Sequence, residues 1–387
     1  MGHRVLFLTH RLNVGGAAVQ MAKLGRALTE RGHAVAAAAR DFDTGEAYGE
    51  AFFRDHGFEL HKVDFPAYGA SLRNLRALLR SRRRLRDAAE AFRPDLLHVH
   101  APTLCLPAKL ARLDLPTAST FHIEVVGASK TRLARLAVRL SDRAFGERVC
   151  CISSEMKQWL TDVAGLPERR LELVYNGVDP DAFPPPTPEQ RAAARQRWDL
   201  PDEALVLCIA ASLEERKNHR LLLEALARVG ESSTPIQLLC AGTGPESRRR
   251  ELEALAEQLG VADRVTWLGH VDPLPVYHAG DVVILPSTVE GFGQTVVEGA
   301  MTGLLPIRSP SAGARDQIQD GETGFIIDPH DPEALAALLN ELASHPERRR
   351  RVAEAARKDM AERFTIAALC DRTEAIYNTI VREHAAG

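Results

Sequence analysis

Short apolar runs alternate with helix-compatible stretches along almost the whole chain, and the alternation occurs twice, once on each side of a proline-rich break. The first series comprises Arg4–Thr9, a helix near Ala17–Arg31, His33–Ala39, and then Leu96–His100, Thr117–His122, Arg148–Ser153 and Leu171–Asn176. The second comprises Ala204–Ala210, a helix near His219–Val229, Pro235–Cys240, a helix near Glu246–Leu259, Val265–Leu268, Val282–Leu285, a helix after Gln294, Leu304–Arg308 and Phe325–Asp328. Strands buried on both faces read as near-continuous apolar runs, and a parallel sheet wrapped by helices buries its strands in that way. Between the series, prolines 180, 184, 185, 186 and 188 remove backbone donors and forbid both helix interior and central strand. The expected fold is therefore α/β, with two doubly wound lobes over residues 1–183 and 184–364. Open sheets of this type bind ligands at the C-terminal ends of their strands, so a hinge between two such lobes predicts a cleft.

A chain of 387 residues with 45% hydrophobic and 26% charged residues suits two such domains and excludes disordered or collagen-like classes. The formal net charge of −3 argues against a nucleic-acid partner, which usually demands a strongly basic balance. Six cysteines, at 105, 150, 151, 208, 240 and 370, show no C-x-x-C spacing and read as reduced core residues. Val5–Leu8 is too short for a signal-peptide core, no apolar stretch approaches about 18 residues, and Leu6 occupies the position a myristoylation signal gives to Ser or Thr. These features predict a cytoplasmic protein.

The segment Leu285-Pro-Ser-Thr-Val-Glu-Gly-Phe-Gly-Gln-Thr-Val-Val-Glu298 carries the strongest local signal. A buried strand runs into a glycine-rich turn and then a helix. Gly291 and Gly293 permit a tight turn with exposed amides, and the helix N-terminus adds partial positive charge, so a phosphorylated ligand suits the turn. Glu290 and Glu298 can accept hydrogen bonds from sugar or ribose hydroxyls. Two acids flanking one anion-binding turn fit a glycoside hydrolase poorly, because its two carboxylates work on a neutral bond. Asp41-Phe-Asp43 has D-x-D form but lies far in sequence from this motif. Gly242-Thr-Gly-Pro-Glu-Ser247 lacks the third glycine of a dinucleotide fingerprint, which argues against NAD. His98 and His100 offer no third metal ligand and read as structural.

Seven other segments stand in a telling order around that motif: Asn13-Val-Gly-Gly-Ala17, Thr120-Phe-His122, Tyr175-Asn-Gly-Val-Asp179, Leu213-Glu-Glu-Arg-Lys-Asn218, Ala241-Gly-Thr-Gly244, Val265-Thr-Trp-Leu-Gly269 and Asp320-Gly-Glu-Thr-Gly-Phe325. Together with the E-x7-E spacing of Glu290 and Glu298, the set resembles the retaining glycosyltransferases of family 4, which have the GT-B fold of two facing Rossmann-like lobes. The resemblance spans nearly the whole chain and implies a hexose transfer from a nucleotide diphosphate sugar, with UDP favoured, to an acceptor hydroxyl. The closing helix, about 365–387, is expected to pack back on the first lobe.

Residue by residue, the resemblance places Glu298 on the nucleotide ribose and Glu290 near the donor sugar, with the amides of Gly291, Phe292 and Gly293 alongside. The amides near Thr295 and Val296 would face the diphosphate, and Leu268 lies on the same donor side. Lys217 matches the diphosphate-binding lysine. Gly15 and Gly16 match a loop approaching the donor phosphate, and His122 matches a histidine beside the donor sugar, so His122, Lys217 and Glu290 are the implied catalytic set. One departure is plain: an arginine common five positions before the lysine is Ser212 here, and Arg216 is the nearest substitute. No metal and no other cofactor is expected. The acceptor is a glycan, glycolipid or small molecule. The basic helix Leu72–Arg86 carries leucines at 72, 75 and 79 on one stripe, and its Arg73–Arg86 stretch suits anionic lipid at the inner face of a membrane, with Lys130–Arg143 as a second basic helix. The rival readings are a sugar-nucleotide-binding subunit that has lost catalysis, and an epimerase or phosphorylase of the same two-lobe shape.

Overall fold

The computed structural model describes residues 2–12, 16–42, 49–65, 72–100, 104–122, 146–162, 165–230 and 234–386; for 41–42 and 72–79 it describes the backbone alone. Gly15, Asp43 and the segment Lys130–Arg143 lie outside the described residues. The chain divides into two compact units, Met1–Gly177 with Ile366–Gly387, and Val178–Thr365. The division falls ahead of the boundary read at residue 183. Val178 bridges to Thr365 and its amide donates to the Phe364 carbonyl at 2.8 Å, which ties it to the second unit before the prolines begin.

Unit 1 holds a parallel sheet of seven strands: β1 Arg4–Leu12, β2 Ala34–Phe42, β3 Glu59–Lys62, β4 Leu96–Val99, β5 Thr117–Phe121, β6 Arg148–Cys151 and β7 Leu171–Leu173. Their spatial order is β3-β2-β1-β4-β5-β6-β7, so the winding reverses between β1 and β4. Val5, Phe7, Val35, Ala37 and Leu96 build the core from the sheet, and Met21, Leu24 and Leu28 of the helix Gly16–Glu30 meet them. The C-terminal helix Ile366–Ala386 adds Leu369, Cys370, Ile376, Tyr377 and Ile380 to that core.

Unit 2 has six parallel strands: β8 Leu205–Ala210, β9 Ile236–Ala241, β10 Val265–Gly269, β11 Val282–Leu285, β12 Leu305–Arg308 and β13 Phe325–Ile326. The order β10-β9-β8-β11-β12-β13 is the Rossmann order, with its reversal between β8 and β11. β11 and β12 are buried along their whole length and β8 is buried except at Ala210, which accounts for the unbroken apolar sequences of β8 and β11, whereas β12 ends on the buried Arg308. At the opposite end of the sheet from the reversal point's loops, the buried Arg195 binds Asp281 at 2.8 Å and four backbone carbonyls. All six cysteines are buried and unpaired. Among the described residues, no helix is long and apolar enough to cross a membrane.

Candidate functional site

The loops that leave β8 and β11 lie on either side of the reversal point in unit 2, where a doubly wound sheet opens a crevice beyond its strand ends. After β8 the chain makes a 3-10 turn, Glu215–Lys217, then enters the left-handed region at Asn218 (φ 57°) before the helix His219–Arg228. Asparagine tolerates that conformation, and its Nδ2 donates to the Pro329 carbonyl at 2.8 Å. The turn presents Arg216 and Lys217 to the loop after β11. The two loops are joined by backbone, since the Thr288 amide donates to the Arg216 carbonyl at 2.9 Å.

Within this crevice the charged side chains form one chain of contacts. Ser212 Oγ donates to Glu214 Oε1 at 2.8 Å, and Arg216 Nε donates to Glu214 Oε2 at 2.7 Å. The bonds from Arg216 and Ser212 hold the Glu214 carboxyl below its ordinary range. A guanidinium nitrogen of Arg216 lies 3.9 Å from Glu290 Oε1, and Lys217 Nζ donates to the same oxygen. The place of the missing arginine is thus taken by a serine that helps fix the carboxylate which in turn orients Arg216.

The turn after β11 is held from behind by a residue the sequence reading did not single out. Arg308, at the end of β12, is fully buried and donates to the Phe292 carbonyl at 2.7 Å and the Ala312 carbonyl at 3.1 Å. It also donates to Gln317, whose own amide donates to the Phe292 carbonyl at 2.7 Å. Gly293 caps the helix Gln294–Met301 in the left-handed region (φ 75°), and a Cβ there would lie 2.8 Å from the Arg308 guanidinium carbon. Glycine is therefore required twice over, by backbone conformation and by space. The Val296 amide donates to the Gly293 carbonyl at 3.1 Å, so the first turn presents the amides of Gln294 and Thr295 rather than that of Val296.

Glu298 lies one turn into this helix. The hydroxyl of the fully buried Tyr277 donates to Glu298 Oε2 at 3.3 Å and to the Thr295 carbonyl at 3.2 Å. Burial, then the nearby Glu298 charge, pushes the Tyr277 hydroxyl well above its ordinary range, so it remains a donor. Leu268 sits where the pairing of β10 with β9 slips register between Trp267 and Gly269, which takes it out of the ladder. Tyr277 carried a usable sequence signal, a tyrosine close before an all-apolar strand; Arg308 and Glu214 carried none beyond being charged.

His122 and Gly16 belong to unit 1, at the strand ends of the other sheet. Gly16 opens the helix after β1, and a Cβ there would meet nothing within 4 Å. His122 Nε2 is hydrogen-bonded to His100 Nδ1 at 2.9 Å, with the rings stacked. His98 is bonded to Tyr377 at 2.6 Å and to Thr120 at 2.7 Å. Burial drives all three histidines to the neutral form, His98 to about 3, His122 to about 4 and His100 well below its ordinary value. Gln20, Thr120, Asn176 and these three histidines line a small cavity. Gln20 also clamps Gly177 through both backbone groups, at 2.9 and 3.0 Å, which gives the Tyr175–Asp179 segment a structural role.

Along the basic helix Leu72–Phe92, Arg80 and Arg84 face Asp64 at 4.0 and 3.1 Å, and Arg86 donates to the Ala111 carbonyl at 2.7 Å. Arg86 is thus partly withdrawn from the basic face, whereas Arg83 is exposed.

Two doubly wound units, one with a cation-and-carboxylate cluster at its strand reversal, define a Rossmann-like α/β protein, and comparison with known proteins narrows the class. Residues 14–182 match Glycosyltransferase Family 4, and residues 190–359 match Glycosyl transferases group 1. A D-inositol 3-phosphate glycosyltransferase from Stackebrandtia nassauensis is 30% identical, over 96% of this chain and 88% of that protein. One from Xylanimonas cellulosilytica is 32% identical over 70% of this chain, and the match spans 63% of that protein's length. The solved structure of Anabaena HepE in complex with UDP and glucose superposes with a TM-score of 0.81 at 22% identity, over 97% of this chain and 100% of that chain. The chain belongs to glycosyltransferase family 4 and has the two Rossmann-like units of the GT-B fold.

Proposed function

We propose that the protein is a retaining glycosyltransferase that moves a hexose from a nucleoside diphosphate sugar, a UDP-sugar by preference, to an acceptor hydroxyl. The observation that carries this reading is the convergence of Arg216 and Lys217 on one Glu290 oxygen at the β8/β11 reversal, beside a glycine-capped helix that bears Glu298. Glu298, oriented by Tyr277, would hold the ribose. Glu290, beside Gly291, Phe292 and Gly293, would accept from sugar hydroxyls. When the anomeric C–O bond breaks, its electron pair passes to the diphosphate. Lys217, Arg216 and the amides of Gln294 and Thr295 would stabilise that charge in place, without a resident metal ion. The acceptor oxygen would attack from the same face, and its proton would pass to the departing phosphate oxygen, which conserves the anomeric configuration and needs no separate base. His122, neutral and held by His100, is suited to a sugar hydroxyl.

The acceptor we propose is a cell-envelope glycan or glycolipid, reached from the cytoplasmic face of a membrane through the Arg73–Arg86 helix. The substitution at Ser212 favours one further reading, a nucleotide-sugar-binding subunit without turnover. Thermal denaturation with UDP, GDP, ADP, NAD and inorganic phosphate tests the donor assignment, because a ligand selective for the folded state raises apparent stability. Stabilisation by one nucleoside diphosphate is expected; a response to NAD alone would refute the assignment. Donor binding without transfer across a broad acceptor panel would select the non-catalytic reading.

A further inference from the structure

The lysine assigned to the donor diphosphate is already occupied. Lys217 Nζ is seated on Glu290 Oε1, and both side chains are largely shielded from solvent, 13% and 9% exposed. Arg216 approaches the same oxygen at 3.9 Å while anchored to Glu214. The contact is built into the backbone on both sides, by the Thr288 to Arg216 bond and by the left-handed Asn218 that follows the lysine. A diphosphate that takes Lys217 competes with Glu290 for its ammonium. That leaves the Glu290 carboxylate, in a site nearly closed to water, with Arg216 at 3.9 Å and committed to Glu214 as its remaining cation, and weakening the pairing of a buried ion is unfavourable. A sugar attached to the diphosphate removes the difficulty, because its hydroxyls donate to the freed carboxylate. A bare nucleoside diphosphate brings nothing to Glu290.

We infer that Glu290 discriminates the intact nucleotide sugar from the bare nucleoside diphosphate by competing with the diphosphate for Lys217. The inference rests on the donor assignment proposed above. Its consequence lies at the end of the cycle: once the sugar has left, the carboxylate reclaims the lysine and loosens the product.

The test is calorimetric titration of the full chain and its Glu290→Gln variant with UDP, GDP and ADP, each beside its glucose ester. Glutamine keeps an acceptor for Lys217 and removes the charge. For whichever base the wild type binds, E290Q is expected to hold the nucleoside diphosphate about fivefold tighter and the sugar ester about tenfold weaker, the scale of one charge-assisted hydrogen bond. In a Lys217→Met background the tightening should vanish, since the lysine is the route by which the two groups communicate. E290Q that weakens both ligands alike, or tightening that persists without Lys217, overturns the inference while leaving the donor assignment standing. A wild-type chain that binds none of the six ligands overturns the donor assignment first and the inference with it. If E290Q unfolds at the assay temperature, Glu290→Asp, which retracts the carboxylate from the lysine, must change the two affinities in the same opposed directions.

Discussion

Replacing Gly293 with alanine isolates how tightly the turn after β11 is held. The residue sits at φ 75°, where an L side chain costs about 1–2 kcal/mol. The added methyl would also lie 2.8 Å from the Arg308 guanidinium carbon and 2.9 Å from both terminal nitrogens. Arg308 cannot retreat freely, because it is bonded to Phe292, Ala312, Ser311 and Gln317. Forcing extra volume into such a packed site costs about 1–3 kcal/mol more, for a total of about 2–5 kcal/mol. Gly321 supplies the control: its φ is 77° and a Cβ there meets nothing within 4 Å, so Gly321→Ala reports the backbone cost alone. Chemical denaturation of both variants, followed through the second unit's tryptophans, measures the difference. If G293A loses no more stability than G321A, the argument that Arg308 braces the turn is wrong.

Tyr277→Phe keeps the buried ring and removes the hydroxyl that reaches Glu298 and Thr295, so nucleotide affinity should fall about three- to tenfold by titration calorimetry. Unchanged affinity would mean that Glu298 needs no such support. Arg195→Met leaves Asp281 short of a buried partner and should cost about 3 kcal/mol in denaturant titrations, with the loss confined to unit 2. His98 and His122 titrate well below their ordinary value of 6.5 when folded, so the unfolded chain binds more protons in acid. Their stability contribution is therefore intact above about pH 6.5 and lost as pH falls toward 4, by about 2 kcal/mol per histidine at pH 5. Thermal melts across that range should show the loss, and His98→Gln should reduce its steepness.

The strands β8 and β11 are legible in the sequence because they are buried on both faces and had to be apolar. β3 escaped for the converse reason: Glu-Leu-His-Lys lies at the sheet edge, partly exposed, and carries no apolar run. In the crevice, the strand-turn-helix around Glu290 and Glu298 was readable because its parts are contiguous. Arg308 was not, since it acts on that turn from another segment and nothing local marks the contact; Tyr277 also acts from another segment, and its only local mark is its place close before the apolar β11. The unit boundary was displaced for the same reason. Prolines are a local mark, whereas the Val178 to Thr365 bridge joins residues distant in sequence.

That bridge places the two crossings of the chain side by side, at Gly177–Val178 and Thr365–Ile366. The second unit is therefore an insertion within the first, and its own ends are neighbours. During synthesis residues 178–365 can close into a finished domain while the first unit still lacks Leu369, Cys370, Ile376, Tyr377 and Ile380. His98 likewise waits for the Tyr377 hydroxyl. The part of the protein made first is thus the part completed last, and it leaves the ribosome needing protection that its inserted neighbour does not.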